Sequence, residues 1–127
     1  MLRRLAALAT GRRGERLAED HLKAKGYAIL ARNYRVRGGE ADLVARLGAT
    51  VVVVEVKTRR SRRFGAPEAA VTRTKVARVL AAGRVFCRRH GIPQADLRGD
   101  VVAVEWPPGA ASPTIRHYPN VMADPRA

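Results

Sequence analysis

The sequence has little cysteine, no long apolar run and few acidic residues. One Cys in 127 residues excludes an intrachain disulfide and indicates a reducing compartment. No run of about 18 apolar residues occurs, which argues against a transmembrane helix. The apolar stretch within residues 1–10 is about half as long as a signal peptide requires. We therefore expect a cytoplasmic protein without a membrane partner.

Basic residues greatly outnumber the acidic ones. The chain has 25 Lys and Arg against 11 Asp and Glu, a formal charge of +14, and residues 101–127 add nothing to this excess. Arginine supplies 21 of the cations, and its guanidinium pairs bidentately with phosphate, so the charge favours a nucleic-acid partner. The alternative is a biased composition whose arginines only cover a soluble surface. Aromatic residues are 5% of the chain and occur singly, so we expect no aromatic stacking platform.

The length fits one domain over residues 1–127, with an N-terminal extension at 1–10 and a proline-containing tail at 107–127. Hydrophobic periodicity and turn residues predict two helices and four strands in the order α-β-β-β-α-β, and the tail adds a candidate fifth, short edge strand. This order indicates an α/β fold in which the second helix crosses over to a strand that can lie parallel to its neighbour. The predicted elements are a helix at 11–25 capped by Thr10, strands at 27–34, 40–46 and 50–58, a helix at 72–90, a strand at 100–106 and a short edge strand at 114–118.

The hairpin of the second and third strands concentrates the scarce acids. A turn at Gly48 and Ala49 pairs positions whose numbers sum to 97, so Asp42 lies opposite Glu55 and Glu40 opposite Lys57. These four side chains then share one face of the sheet. The opposite face, which we expect under the second helix, carries Val52, Val54 and Val56.

Directly opposed carboxylates are destabilising in a sheet, and a divalent cation such as Mg²⁺ or Mn²⁺ would resolve the conflict at Asp42 and Glu55. The backbone carbonyl of Val56 is a further candidate ligand, and Lys57 could orient a water or stabilise charge on a phosphate. Glu15, in the first helix, could join if that helix packs beside the hairpin. The alternative is an exposed sheet face with a Glu40–Lys57 salt bridge and solvated Asp42 and Glu55.

Basic residues surround the hairpin in the sequence and are candidates for contact with a nucleic-acid backbone. Lys75, in the first turn of the second helix, either contacts phosphate or is simply solvated. The full set of predicted nucleic-acid-binding residues is Arg35, Arg37, Arg59, Arg60, Arg62, Arg63 and Lys75.

The chain resembles the YraN-like family of bacterial proteins over about residues 11–121. The resemblance is carried by GERLAEDHLKAKGY, ARNYRVRGGEADLVA and VVVVEVKTRRSRRFGAPEAAVTRTK, and RGDVVAVE and IRHYPN also fit the family's pattern. That family is similar to the restriction-endonuclease-like nucleases, near archaeal Holliday junction resolvases. The resemblance implies an αβββαβ core with a mixed sheet flanked by helices, and Mg²⁺-dependent phosphodiester hydrolysis. It implies that Asp42 and Glu55 are metal ligands and Lys57 the catalytic lysine, with Glu15 matching a helix acid of the resolvases and Glu40 an element of the YraN-like family.

Three functions remain open from the sequence. The first is a metal-dependent endonuclease acting on branched or structured DNA, which as a resolvase-like enzyme would form a homodimer with two sites. The second is a non-catalytic nucleic-acid-binding module that keeps the nuclease fold. The third is a basic scaffold protein of a ribonucleoprotein, for which the hairpin acids would be irrelevant.

Overall fold

The computed structural model of the chain describes residues 2–60 and 71–123, with side chains from residue 11 onward in the first range. The predicted order of helices and strands is confirmed, and the short edge strand in the tail is present. The elements are α1 (Leu2–Ala24), β1 (Ala28–Val36), β2 (Gly39–Leu47), β3 (Thr50–Arg59), α2 (Arg73–His90), β4 (Leu97–Glu105) and β5 (Thr114–Tyr118).

The strands form one mixed five-stranded sheet in the order β1-β2-β3-β4-β5. Only the β3–β4 pair is parallel, because α2 crosses over between these two strands, and the other pairs are antiparallel. This α/β arrangement confirms the predicted fold class and is consistent with a restriction-endonuclease-like core.

The first helix departs from its predicted bounds. Helix α1 begins at Leu2 rather than at Gly11, so Thr10 lies within the helix and not at its N-terminal cap. Gly11 and Gly14 are also inside it, since a glycine in a helix costs only about 1 kcal/mol and does not by itself end one. The second helix matches its prediction: Thr72 caps it by accepting the N–H of Lys75.

Each face of the sheet packs against one helix. Val51, Val53 and Val44 lie in a buried cluster with α2 residues such as Val79 and Phe86. The other face packs under α1, where Ala18 and Leu22 meet a cluster that includes Leu43, Val52, Val54, Val56 and Val102.

This packing corrects one prediction. Val52, Val54 and Val56 do share a face, but they lie under α1 and not under α2. Strand alternation shows which residues share a face and does not show which helix covers it. Within the described residues, no helix is long and apolar enough to cross a membrane.

Candidate functional site

The register of the β2–β3 hairpin is the predicted one, with Leu47 opposite Thr50 and Leu43 opposite Val54. The ladder of paired residues ends there, one position before Asp42 and Glu55. Instead of a backbone carbonyl, a carboxylate oxygen of Asp42 accepts the N–H of Val56, at 2.7 Å. The side chain of Asp42 therefore lies between β2 and β3, where the ladder between the two strands ends.

A break in the alternation of β2 accompanies this separation. Ala41 and Val44 both pack in the α2 cluster, whereas Leu43 and Ala45 pack in the α1 cluster. Regular alternation would put Ala41 on the same face as Leu43. Asp42 thus lies at an irregular point of its strand, where its side chain reaches the backbone of β3.

Glu55 is almost fully buried, at 4% exposure. Its Oε1 atom lies 3.5 Å from Lys57 Nζ and 3.6 Å from Lys75 Nζ. Its other carboxylate oxygen, Oε2, is buried and has no hydrogen-bond partner among the described residues. The alternative interpretation of the sequence, in which Glu55 is solvated, is therefore wrong. A buried oxygen without a hydrogen bond from any described residue requires an explanation.

Glu40 lies at the margin of the same group. Lys75 Nζ is 3.4 Å from its Oε1, and Arg35 Nε is 3.7 Å from its Oε2. Glu40 is placed there because Gly39 packs against the α2 backbone, where an added Cβ would lie 2.5 Å from the carbonyl oxygen of Arg78. Among the described residues, the cations that neighbour Glu40 are thus Lys75 and Arg35, while Lys57 lies against Glu55. The predicted pairing of Glu40 with Lys57 is therefore wrong, because the strand ladder ends before it reaches these two residues.

Glu15 approaches the group from α1. The helix backbone at Gly14 is so close to β3 that an added Cβ would overlap the hydroxyl of Thr58. This contact brings the next residue, Glu15, near the hairpin. Burial raises the pKa of Glu15, and the negative charge of Asp42 raises it further.

The pKa values of the two central carboxylates are also raised. For Asp42, burial outweighs the N–H of Val56 and the charges of Lys75 and Lys57, which act in the opposite direction. For Glu55, burial is again the largest cause, the charge of Asp42 adds to it, and the two lysines oppose it. Carboxylates whose pKa values are shifted by burial and by a neighbouring charge cluster at functional sites.

The neighbouring acids change the pKa of Lys75, which lies in α2. Burial would lower the pKa of Lys75, but the charges of Glu55 and Glu40 outweigh it and raise that pKa. Lys75 is therefore held as an ammonium ion among the acids. The sequence did not predict this position, because the hairpin register says nothing about where α2 docks.

The residues at this site fit a small divalent cation. Mg²⁺ uses one or two carboxylates and keeps several waters. Asp42 and Glu55 provide that number, and one Glu55 oxygen is not hydrogen-bonded by any described residue. Among the described residues, no group of three or more His, Cys, Asp or Glu is arranged to hold a metal, so a closed structural site of the zinc type does not fit. Val56 contacts Asp42 through its backbone N–H and not through its carbonyl.

The predicted basic residues lie at the same end of the hairpin as far as the structure describes them. Arg35 is exposed beside Glu40, and Arg37 is exposed where β1 turns into β2. Arg59 is the last residue of β3, and Arg60 follows it exposed. Arg62 and Arg63 lie outside the described residues.

A second buried carboxylate, Asp100 on β4, was not singled out from the sequence. Arg98 donates to both of its oxygens at 2.9 Å, and the backbone N–H of Asn120 donates at 2.8 Å. His117 Nε2 lies 2.7 Å from it. These hydrogen bonds outweigh burial and lower the pKa of Asp100. Its network joins β4, β5 and the tail.

Comparisons with known proteins place the chain in a family. The model of the uncharacterised protein family UPF0102 matches residues 14–104. A UPF0102 protein of Leifsonia xyli is 41% identical over 114 residues, covering 88% of this chain and 94% of the relative. The chain belongs to the UPF0102 family. UPF0102 proteins of Clavibacter michiganensis and Symbiobacterium thermophilum are 46% and 47% identical over 78% and 75% of this chain, covering 84% and 80% of those relatives.

Membership in UPF0102 confirms the YraN-like resemblance seen in the sequence. The matched region of the family model contains Glu15, the whole β2–β3 hairpin and Lys75. It ends at residue 104, so it does not include β5 or the residues that follow β4.

Proposed function

We propose that this UPF0102 protein is a metal-dependent endonuclease that hydrolyses phosphodiester bonds in branched or otherwise structured DNA. The observation that carries the proposal is the buried Glu55 carboxylate, which lies near Asp42 and beside a lysine two residues further along the strand. One of its oxygens has no hydrogen-bond partner within residues 2–60 and 71–123. Leaving a buried acid incompletely hydrogen-bonded is costly unless a ligand completes its partners.

Each residue of the group has a chemical role in this proposal. Asp42 and Glu55 would hold Mg²⁺ or Mn²⁺, with the Val56 carbonyl as a candidate third oxygen. A bound divalent ion polarises the phosphate and makes a water molecule more acidic. Lys57 would orient that water and stabilise negative charge on the phosphate, while Glu15 and Glu40 support the site.

Positive charge around the acids suits a polyanionic substrate. Arg35 and Lys75 border Glu40, and the chain carries a formal charge of +14, which attracts nucleic acid from a distance. Backbone contact is proposed for the basic residues at this end of the hairpin, namely Arg35, Arg37, Arg59, Arg60, Arg62, Arg63 and Lys75. A homodimer would place two such sites on two strands of a junction.

One observation favours a second candidate, a nucleic-acid-binding module without catalysis. Lys75 Nζ lies between the acids, 3.4 Å from Glu40 and 3.6 Å from Glu55. A lysine in this position partly neutralises the carboxylates without a metal. In a binding module the group would then be structural, and nucleic-acid affinity would be the same with or without a chelator.

The test compares wild type with Glu55→Gln, which removes the charge and keeps the side-chain shape. Asp20→Asn is the matched control, since it removes an acid from the exposed side of α1. The substrates are labelled four-way junction, flap, duplex and single-stranded DNA, each with Mg²⁺, Mn²⁺ or EDTA. All proteins must be purified identically, because contaminating nucleases are the main hazard.

We expect wild type and Asp20→Asn to cleave with metal, and Glu55→Gln to fall to the level seen with EDTA. Equal cleavage by Glu55→Gln and wild type would contradict the proposed site. Tight, chelator-independent binding without cleavage by any of the proteins would favour the binding module.

A further inference from the structure

Helix α1 and the end of β4 meet at a pairing of an arginine with the only tryptophan of the chain. The Arg13 guanidinium carbon lies 4.5 Å from the ring centroid of Trp106, close enough for a cation–π interaction. Arg13 is exposed, and Trp106 is partly exposed. The two residues are far apart in sequence, which is why the sequence showed only isolated aromatic residues.

Trp106 is tied to the strand that carries the candidate site. Its backbone N–H donates to the carbonyl of Arg59 at 2.6 Å, and Arg59 follows Lys57 by two residues. Lys57 is paired with Ala103 in the β3–β4 register. Trp106 therefore lies three residues beyond the level of Lys57, which is about 10 Å along the sheet.

Arg13 is tied to the same site through α1. It precedes Gly14, which packs on Thr58 of β3. The aromatic–guanidinium pair thus lies on the α1 side of the sheet, at the end of β3 that follows Glu55 and Lys57. Exposed Arg12, Arg16 and Arg60 keep the neighbouring surface basic.

We propose that Trp106 and Arg13 form a stacking platform for an unpaired base of a single-stranded or flapped nucleic acid next to the acidic group. Proteins that bind single strands combine positive charge with aromatic faces on which bases stack, and bases also stack on guanidinium planes. A base in intact duplex has no free face to offer. The platform thus selects substrates with unpaired nucleotides, and it depends on the proposed function only for nucleic acid as the partner.

The single tryptophan makes a direct test possible. Wild-type protein is titrated in EDTA with a thymidine oligonucleotide or a duplex of the same length, at one salt concentration, because affinity depends on salt. Tryptophan emission, excited where tyrosine does not absorb, then reports Trp106 alone. We expect the oligonucleotide to quench this emission in a saturable way and the duplex to leave it nearly unchanged.

Variants separate stacking from charge. Trp106→Ala should weaken binding of the labelled oligonucleotide by about tenfold, as measured by fluorescence anisotropy, and should have little effect on the affinity for duplex. Trp106→Phe keeps an aromatic stacking face and should keep most of the affinity for the oligonucleotide. Arg13→Ala should weaken oligonucleotide binding more than Arg88→Ala, which removes the same charge from the exposed C-terminal turn of α2. Thermal unfolding of each variant verifies that it is folded.

Several results would overturn the platform. One is unchanged emission of wild type while anisotropy shows saturated oligonucleotide. Another is an equal loss of single-strand and duplex affinity in Trp106→Ala, and a third is equal effects of Arg13→Ala and Arg88→Ala. If Trp106→Ala does not fold, the wild-type emission and the two arginine variants still decide. Binding is measured in EDTA and does not require cleavage. Quenching of tryptophan emission without nuclease activity would therefore contradict only the proposed endonuclease activity. Nuclease activity without quenching would contradict only the proposed stacking platform.

Discussion

Two buried carboxylates on neighbouring strands have opposite surroundings. Asp100 on β4 is fully buried, and its oxygens receive hydrogen bonds from Arg98, His117 and the backbone of Asn120. Glu55 on β3 is almost as buried, yet in the part of the chain that the structure describes one of its oxygens has no hydrogen-bond partner. The pKa of Asp100 is lowered, whereas the pKa of Glu55 is raised.

The two carboxylates also lie on opposite faces of the sheet. Glu55 is paired with Val101 in the β3–β4 register, and Val101 packs in the α2 cluster. Asp100 is paired with Val54 and precedes Val101, so it lies on the other face, where Val54 and Val102 pack in the α1 cluster. The hydrogen bonding of Asp100 is complete within the protein, whereas Glu55 has an oxygen that no described residue satisfies. This difference is the reason that we propose a structural role for Asp100 and a functional one for Glu55.

The largest stability effect is expected where the hydrogen bonding is complete. Asp100→Asn removes the charge that pairs with Arg98, and breaking a buried pair of this kind costs about 3–5 kcal/mol of unfolding free energy. Urea denaturation of this variant, beside wild type and Asp20→Asn, measures the loss. If Asp100→Asn were as stable as Asp20→Asn, the network around Asp100 would not hold β5 and the tail as described.

An intermediate effect is expected where α1 meets β3. Gly14→Ala would force a Cβ into the Thr58 hydroxyl, whereas the space around Gly11 is open. Overpacking of this kind costs about 1–3 kcal/mol, while Gly11→Ala should stabilise by up to about 1 kcal/mol, as an ordinary helix substitution. Thermal unfolding compares the two variants. Thr58→Ala combined with Gly14→Ala should restore most of the loss, and equal effects of the two glycine substitutions would refute the close contact.

The sequence allowed a good prediction of the hairpin and a poor one of everything that depends on helix docking. The turn at Gly48 and the two-residue period of a strand determine the register, so Asp42 and Glu55 could be brought together from the chain alone. The scarcity of acids in a basic chain drew attention to them. The burial of their side chains was not predictable, because it depends on which helix covers each face.

Other features involve residues distant in the chain. Lys75 enters the acidic group only when α2 packs on Gly39, and Trp106 meets Arg13 only when α1 packs across the end of β3. Asp100 occurs in a run of apolar residues that predicts a buried strand, but its partner His117 comes from β5. No local pattern encodes these contacts, since they arise from tertiary packing.

The smallest effect concerns pH, and its sign differs between the two acids. The lowered pKa of Asp100 provides stability above about pH 3.8 that is lost as pH falls, so the deficit of Asp100→Asn should shrink in acid. The raised pKa of Glu55 has the opposite consequence: wild type should lose stability relative to Glu55→Gln as pH rises above 4.5. Glu55→Gln should therefore be the more stable protein at neutral pH without metal, because burial disfavours the charged form of Glu55.

Denaturation at a series of pH values, in EDTA, checks both directions. Parallel pH profiles for wild type, Glu55→Gln and Asp100→Asn would contradict the contrast between the two carboxylates.

The most direct test of the account is the unfolding of wild type and Glu55→Gln at neutral pH, in EDTA and with increasing Mn²⁺. In EDTA we expect Glu55→Gln to be the more stable protein. A ligand that binds only the folded state stabilises it by about 2.7 kcal/mol at a hundred times its Kd, so saturating Mn²⁺ should raise wild type above Glu55→Gln and leave the variant unchanged. Equal stabilisation of both proteins by Mn²⁺, or of neither, would contradict a metal site at Asp42 and Glu55.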